Sequence, residues 1–320
     1  MYRHTKPDGR RACLKRLGAL GVAPLAATVG GWSAPAAAQP AVTGKPPRVV
    51  SLSWAGAQIL LSLGVAPLAL AERADYPLAG AHPSLPAGTL ELGSHGEPNL
   101  ELLQRLAPEL IVMDANQSHL GARLADIAPA FTIDIYNPER GKPYARAVDE
   151  TLRLGALLGR RDAAQRYLGR VDNDLAACAK AVSALEIRPT VLVVDLYDDG
   201  RHLYLYGPNS LMQDVMDRLG VRNAWPGSTA SGYVLQGIEA LADFGEAQMF
   251  YISHGARDQI ALHNLDRSLL WQHLPFVQAR RFRPLPGFFA YGATASAVQF
   301  AQELSAGLVA LDSQAGQTHE

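Results

Sequence analysis

Apolar positions along the chain fall into two rhythms: short unbroken runs typical of buried strands, and longer stretches spaced by three and four residues, typical of helices with one covered face. Arg48 to Leu52 reads as a strand, Trp54 as a loop residue, and Ala57 to Leu63 as a helix closed by Gly64. Thr190 to Leu196 repeats the strand, a hairpin-like excursion follows, and Ser210 to Leu219 is a helix closed by Gly220. Both helices end in Leu-Gly-Val. A second pair of segments agrees as well: LELLQRLAPELIVM from Leu100 aligns without gaps with IEALADFGEAQMFY from Ile238. Each predicts an amphipathic helix feeding a short apolar strand. In the first, Leu100, Leu103 and Leu106 share a face, Glu101 and Arg105 lie four apart on another, and Pro108 stops the helix. IAPAFTIDIY from Ile127 and LPFVQARRFRPLP from Leu274 form a third pair, each leaving a helix and entering a strand.

Strands alternating with helices, twice over, predict an α/β fold of two lobes with mainly parallel central sheets. Between the repeats lies Pro143 to Glu186, where apolar positions at helical spacing continue through most of the segment and Gly159 divides it into two helices. The expected organisation is an N-terminal lobe over 46–142, a connecting helix over 143–159 and a C-terminal lobe over 160–316. A helical connector is stiffer than a Gly/Ser linker, so small relative lobe motion is expected. The polar stretch from Ser313 to Glu320 reads as a frayed tail.

The first residues have a different pattern. Arg10-Arg11 precede a mildly apolar run from Leu17 to Val29, and Ala36-Ala37-Ala38 supply a small-residue cleavage site. Residues 1–38 therefore read as a twin-arginine signal peptide, interrupted by Pro24 and several glycines and so too broken to serve as a membrane span. Export changes the charge picture. Residues 39–320 hold 23 Lys/Arg against 29 Asp/Glu, a net charge of −6. An acidic chain without a basic cluster argues against nucleic acid as partner. Cys178 is then the one cysteine left, which excludes an internal disulfide.

In open parallel sheets ligands bind beyond the carboxyl ends of the strands. The loops at those ends carry Trp54, Arg73 to Tyr76, Ser94-His95, Asn116-Gln117, Tyr136, Tyr197, Ser231 to Tyr233, His254 and Phe288 to Tyr291. Rich in aromatics and poor in lysine, they suit a bulky, partly apolar ligand with hydrogen-bonding groups. Few basic residues lie in these loops, so the set favours a ligand without a large negative charge. No G-x-S-x-G elbow, H-E-x-x-H pair or phosphate loop occurs, which leaves no enzymatic motif, and the histidines lack metal-ligand spacing. Asp195, Asp198 and Asp199 read as a solvated turn. His95 and His254 facing each other across a cleft are the nearest approach to a metal site.

The words GEPNLELL, YGPNSLMQDVMDRLGVRNAW, SLLWQHLPFVQARRF and YGATASA occur in this order across both halves. Through them the chain from Arg48 to Leu311 resembles the periplasmic iron(III)-hydroxamate binding family, the substrate-binding components of ferrichrome ABC importers. The resemblance implies a class III periplasmic binding protein: two lobes bridged by one long helix, a shallow aromatic cleft for a ferric siderophore, no enzymatic activity, no resident cofactor or metal, and a monomer in the periplasm that delivers its ligand to an inner-membrane permease. It assigns Trp54, Tyr76 and Tyr291 to aromatic cleft positions. Phe289 stands where the family has a tryptophan, and Tyr233 is the aromatic nearest another missing tryptophan. His95 takes the place of an arginine that hydrogen-bonds hydroxamate oxygens, and Gln117 that of a partnering tyrosine, which makes both candidate hydrogen-bond donors. Arg73 or Arg257 is a candidate substitute for the missing charge. Glu101 and Glu239, equivalent in the repeat, match an acidic pair that docks on the permease; acids in a first helical turn also complement the helix dipole. Another iron chelate, haem or cobalamin on the same fold is the alternative ligand, with Tyr291 or His95 as an axial group for haem.

Overall fold

The computed structural model describes residues 47–317; the leader assigned to residues 1–38 lies outside them. Val49–Ser51 (β1), Ala69–Leu70 (β2), Leu90–Glu91 (β3), Leu110–Asp114 (β4) and Ala130–Ile133 (β5) form a sheet in the order β3-β2-β1-β4-β5, parallel throughout. β1 and the first four residues of β4 bury every side chain, as strands covered on both faces do. Helices α1 (Trp54–Ser62), α2 (Leu100–Leu106) and α3 (Gly121–Ala125) complete the lobe. Ser53 starts α1, its Oγ accepting from Gly56 N at 3.0 Å, so Trp54 is the first helical residue and not a loop residue. At Gly56 a Cβ would stand 2.5 Å from Val112 Cγ1, and its absence lets α1 lie close on the sheet.

Pro143–Leu157 (α4) and Arg161–Ser183 (α5) follow, separated by a turn in which Gly159 has φ 65°. The second sheet comprises Val191–Leu196 (β6), His202–Tyr206 (β7), Tyr233–Gly237 (β8), Gln248–Ser253 (β9) and Phe282–Pro286 (β10), ordered β10-β9-β6-β7-β8. β6, β9 and β10 are parallel, whereas β7 runs antiparallel to both its neighbours, which is the hairpin inserted into the repeat. Helices α6 (Leu211–Leu219), α7 (Asp258–Asp266), α8 (Leu269–His273), α9 (Pro275–Gln278) and α10 (Thr294–Gln317) surround it. The segment read as a frayed tail is helical as far as Gln317.

The lobes are tied more than once. Ala147, Leu154 and Leu158 of the α4 segment pack in the N-terminal core, Tyr144 in the C-terminal core. The boundary expected at residue 160 is not a packing boundary, because Ala164 of α5 and Ala293 before α10 also belong to the N-terminal core. Gln58 of α1, fully buried, accepts from Ala293 N at 2.7 Å and donates to Ser296 Oγ at 2.9 Å, so α10 forms a second bridge beside α4 and α5.

Candidate functional site: an aromatic wall across both lobes

Parallel strands of both sheets end on the same side of their lobes, and the side chains beyond those ends meet. From the N-terminal lobe, the rings of His95 and Trp54 lie 5.4 Å apart by centroid. Trp54 meets Phe289 of the C-terminal lobe at 5.1 Å, and Phe289 meets Tyr291 at 6.5 Å. Tyr291 touches Tyr136 at 5.3 Å and Tyr233 at 6.0 Å, and the row continues through Tyr204 at 5.1 Å to Tyr197 at 5.6 Å. All are edge-on contacts, the favoured packing of ring quadrupoles. Hydrogen bonds fix the wall from behind. Trp54 Nε1 donates to Ala71 O at 2.9 Å, and Tyr136 Oη donates to Gly292 O at 2.6 Å, across the lobe boundary. Burial raises the phenol pKa of Tyr136 and of Tyr291 far above the usual range, so both remain neutral O–H groups.

Four of the expected ligand residues share this surface: Trp54, Phe289, Tyr291 and Tyr233. His95 joins at its N-terminal edge, held in place by its surroundings. Its backbone N–H donates to Glu72 Oε1 at 3.1 Å, and Glu72 Oε2 stands 2.8 Å from the ring Nδ1, outside hydrogen-bond geometry. Two residues differ from expectation. Tyr76 is 1% exposed, packs edge-on behind Trp54 at 5.9 Å and donates its hydroxyl to Pro83 O, so it supports the wall without facing the cleft. Gln117 is 3% exposed, and its amide is fully committed: Nε2 donates to His95 O at 2.8 Å and Leu52 O at 3.3 Å, while Oε1 accepts from Asp114 N at 2.8 Å. A buried amide with every group paired offers no donor to a ligand. Its task is to fix the His95 loop.

Two carboxylates absent from the expected set, together with His254 from the strand-end loops, belong to the site or its border. Asp114, at the end of β4, accepts from Ser53 Oγ at 2.7 Å, and burial pushes its carboxyl up to about 6. Asp195, on β6 directly opposite Tyr204, holds its Oδ1 3.1 Å from His254 Nε2. That hydrogen bond raises the imidazole pKa above its usual value. The solvated turn is thus Asp198 and Asp199 alone. Tyr204 was recoverable from the sequence, since HLYLY alternates and places Tyr204 on the face opposite Leu203 and Leu205. Glu101, in the first turn of α2, and Glu239, in the first turn of the 3-10 helix Ile238–Phe244, are both exposed and lie off this wall. Among the described residues, no three His, Cys, Asp or Glu side chains converge in a way that could hold a metal ion.

The family profile described as periplasmic binding protein matches residues 49–287. The iron(3+)-hydroxamate-binding protein FhuD of Escherichia coli K12 is 34% identical over 262 residues, covering 81% of this chain and 86% of that one. Among solved structures, the Fe3+-Desferal-bound siderophore binding protein FhuD from Vibrio cholerae superposes with a TM-score of 0.75 at 25% identity, over 84% of this chain and 100% of the other. A siderophore periplasmic binding protein from the fuscachelin gene cluster of Thermobifida fusca shares the fold, with a TM-score of 0.64 at 21% identity, over 83% of this chain and 97% of that one.

Proposed function

This chain belongs to the periplasmic binding protein family, and from that membership we propose that it captures a ferric siderophore of the hydroxamate type and delivers it to an ABC permease. The protein is a binder and not an enzyme. The observation that carries the reading is the aromatic wall, which runs without a gap from His95 in one lobe to Tyr197 in the other. A ferric hydroxamate presents an apolar rim around a polar oxygen core, and edge-packed rings with hydroxyls among them complement that surface. Trp54, Phe289, Tyr291 and Tyr233 are the contact rings in this reading, with His95 as the polar group at the edge and Tyr76 and Gln117 as supports. The ligand itself carries the iron, and no resident cofactor is invoked.

Delivery needs a second surface. Glu101 and Glu239 occupy corresponding first turns ahead of β4 and β9, one on each lobe. Symmetric partners need symmetric contacts, and a duplicated acidic pair fits a two-fold basic permease dimer. The protein acts as a monomer in the periplasm in this proposal. No helix among the described residues is long and apolar enough to cross a membrane.

Tryptophan fluorescence during titration with ferrichrome, a ferric catecholate, hemin and cobalamin tests the reading, with Trp54 as reporter. Saturable quenching by ferrichrome is expected. Silence toward ferrichrome with saturation by one of the other three would replace the hydroxamate assignment with that ligand.

A further inference from the structure

The wall does not end between the lobes; it runs on through Tyr204 and Tyr197 into a cavity of about 430 Å³ in the C-terminal lobe. We propose that this cavity is a second subsite, which takes a pendant ammonium group on the ferric ligand, so that the protein prefers hydroxamates with a free amine arm over neutral ones. The proposal rests on the ferric siderophore reading above.

Four features point to a cation. First, Asp195 lies on β6 facing its cross-strand partner Tyr204, and Tyr197 is two residues further along the same face. A carboxylate beside two phenol rings is the composition that binds an ammonium, by charge and by the negative ring faces. Second, Asp195 is oriented. His254 Nε2 occupies Oδ1 at 3.1 Å, which leaves Oδ2 without a hydrogen-bond partner among the described residues. Third, the carboxylate of Asp198 in the lining has no partner among the described residues, whereas Asp258 accepts from Ser253 Oγ at 2.7 Å and His254 N at 3.0 Å. Fourth, the acids outnumber the bases. Asp195, Asp198 and Asp258 face His254 and Arg257, so the lining stays net negative even with the imidazole protonated. The field reaches the wall, for Tyr291 and Tyr204 are raised by burial first, then by neighbouring phenols and by Asp195. Arg257 is exposed and is the one guanidinium on the lip.

The test uses ferric complexes of one linear trihydroxamate body, that of Desferal, in three forms: with its free primary amine, N-acetylated, and N-succinylated. These present a cation, a neutral amide and a carboxylate on the same arm. Titration of the full chain should give an affinity about tenfold higher for the amine than for the acetyl form, with the succinyl form weakest. Asp195→Asn should bring the amine-to-acetyl ratio close to one. That ratio is internal to each protein, so a partly misfolded variant lowers both arms and leaves it readable. Equal affinities for amine and acetyl forms overturn the proposal, as does a tightest succinyl form, which would make Arg257 and His254 an anion site. A ratio that survives in Asp195→Asn overturns the assignment to this cavity. If all three fail while ferrichrome saturates, the subsite is refuted and the carrier reading stands; if ferrichrome fails too, both fall.

Discussion

Asp114 stands at the carboxyl end of β4, next to the central strand of the N-terminal sheet, and its chemistry differs from that of an exposed acid. The Ser53 hydroxyl donates to it, but burial outweighs that hydrogen bond and lifts the carboxyl from an ordinary 3.8 to about 6. The folded chain therefore holds this proton more tightly than the unfolded chain does. The stability it contributes is complete below about pH 4 and is lost as pH rises through about 6. Asp114→Asn keeps an acceptor for Ser53 and has no charge to bury. In urea unfolding, the variant should gain on the wild type between pH 4 and pH 7.5 by on the order of 2 kcal/mol. An unchanged difference between the two pH values would mean that the carboxyl is as well solvated as in the unfolded chain. The same scale explains His95 and Gln117. Both were read as donors because they stand where the family has an arginine and a tyrosine, yet the Gln117 amide is consumed by three backbone groups, and of the two only the His95 ring joins the aromatic wall.

Among the elements, α10 alters the picture most, because it joins the lobes through Gln58. That side chain is completely buried, with its oxygen on Ala293 N and its nitrogen on Ser296 Oγ. Gln58→Met keeps the volume and removes both bonds, leaving a buried N–H unpaired. A loss of about 2 kcal/mol in urea unfolding is expected; a loss below 0.5 kcal/mol, the low end for a single hydrogen bond, would show that the junction does not depend on this latch. The strands, the paired Leu-Gly-Val helix ends and the duplicated helix-to-strand units were legible in the sequence because local apolar spacing and left-handed glycines encode them; Gly64 and Gly220 have φ of 74° and 70°. The second bridge was not legible, since Gln58 and Ser296 are 238 positions apart and nothing local links them. Nor was the burial of Tyr76, whose cover is Trp54 and the segment around Pro83. Sequence spacing located the wall's loops but could not say which aromatics form its surface and which stand behind it.

For the whole molecule, the question is whether the two lobes present a fixed face to a partner. α4, α5 and α10 cross between them, and Tyr136 Oη reaches Gly292 O over the boundary, so the spacing of Glu101 and Glu239 is set by packed structure and not by a linker. Each acid lies in a first helical turn, where a negative charge is worth about 0.3–1 kcal/mol against the helix dipole. That contribution alone would make Glu101→Lys and Glu239→Lys mildly destabilising and otherwise silent. Docking predicts something separable. Ferrichrome affinity should stay within about twofold for both single variants and the double variant, because neither acid lies on the wall, while a 1 kcal/mol loss shifts the melting midpoint by only about 2–4 °C. Iron delivery in cells lacking their own carrier should fall in each single variant and vanish in the double one, since charge reversal on both lobes repels both halves of a two-fold basic partner. Full delivery by the double variant, with the protein folded and ligand-loaded, would reduce the pair to helix-dipole partners and move the permease contact elsewhere on the two lobes.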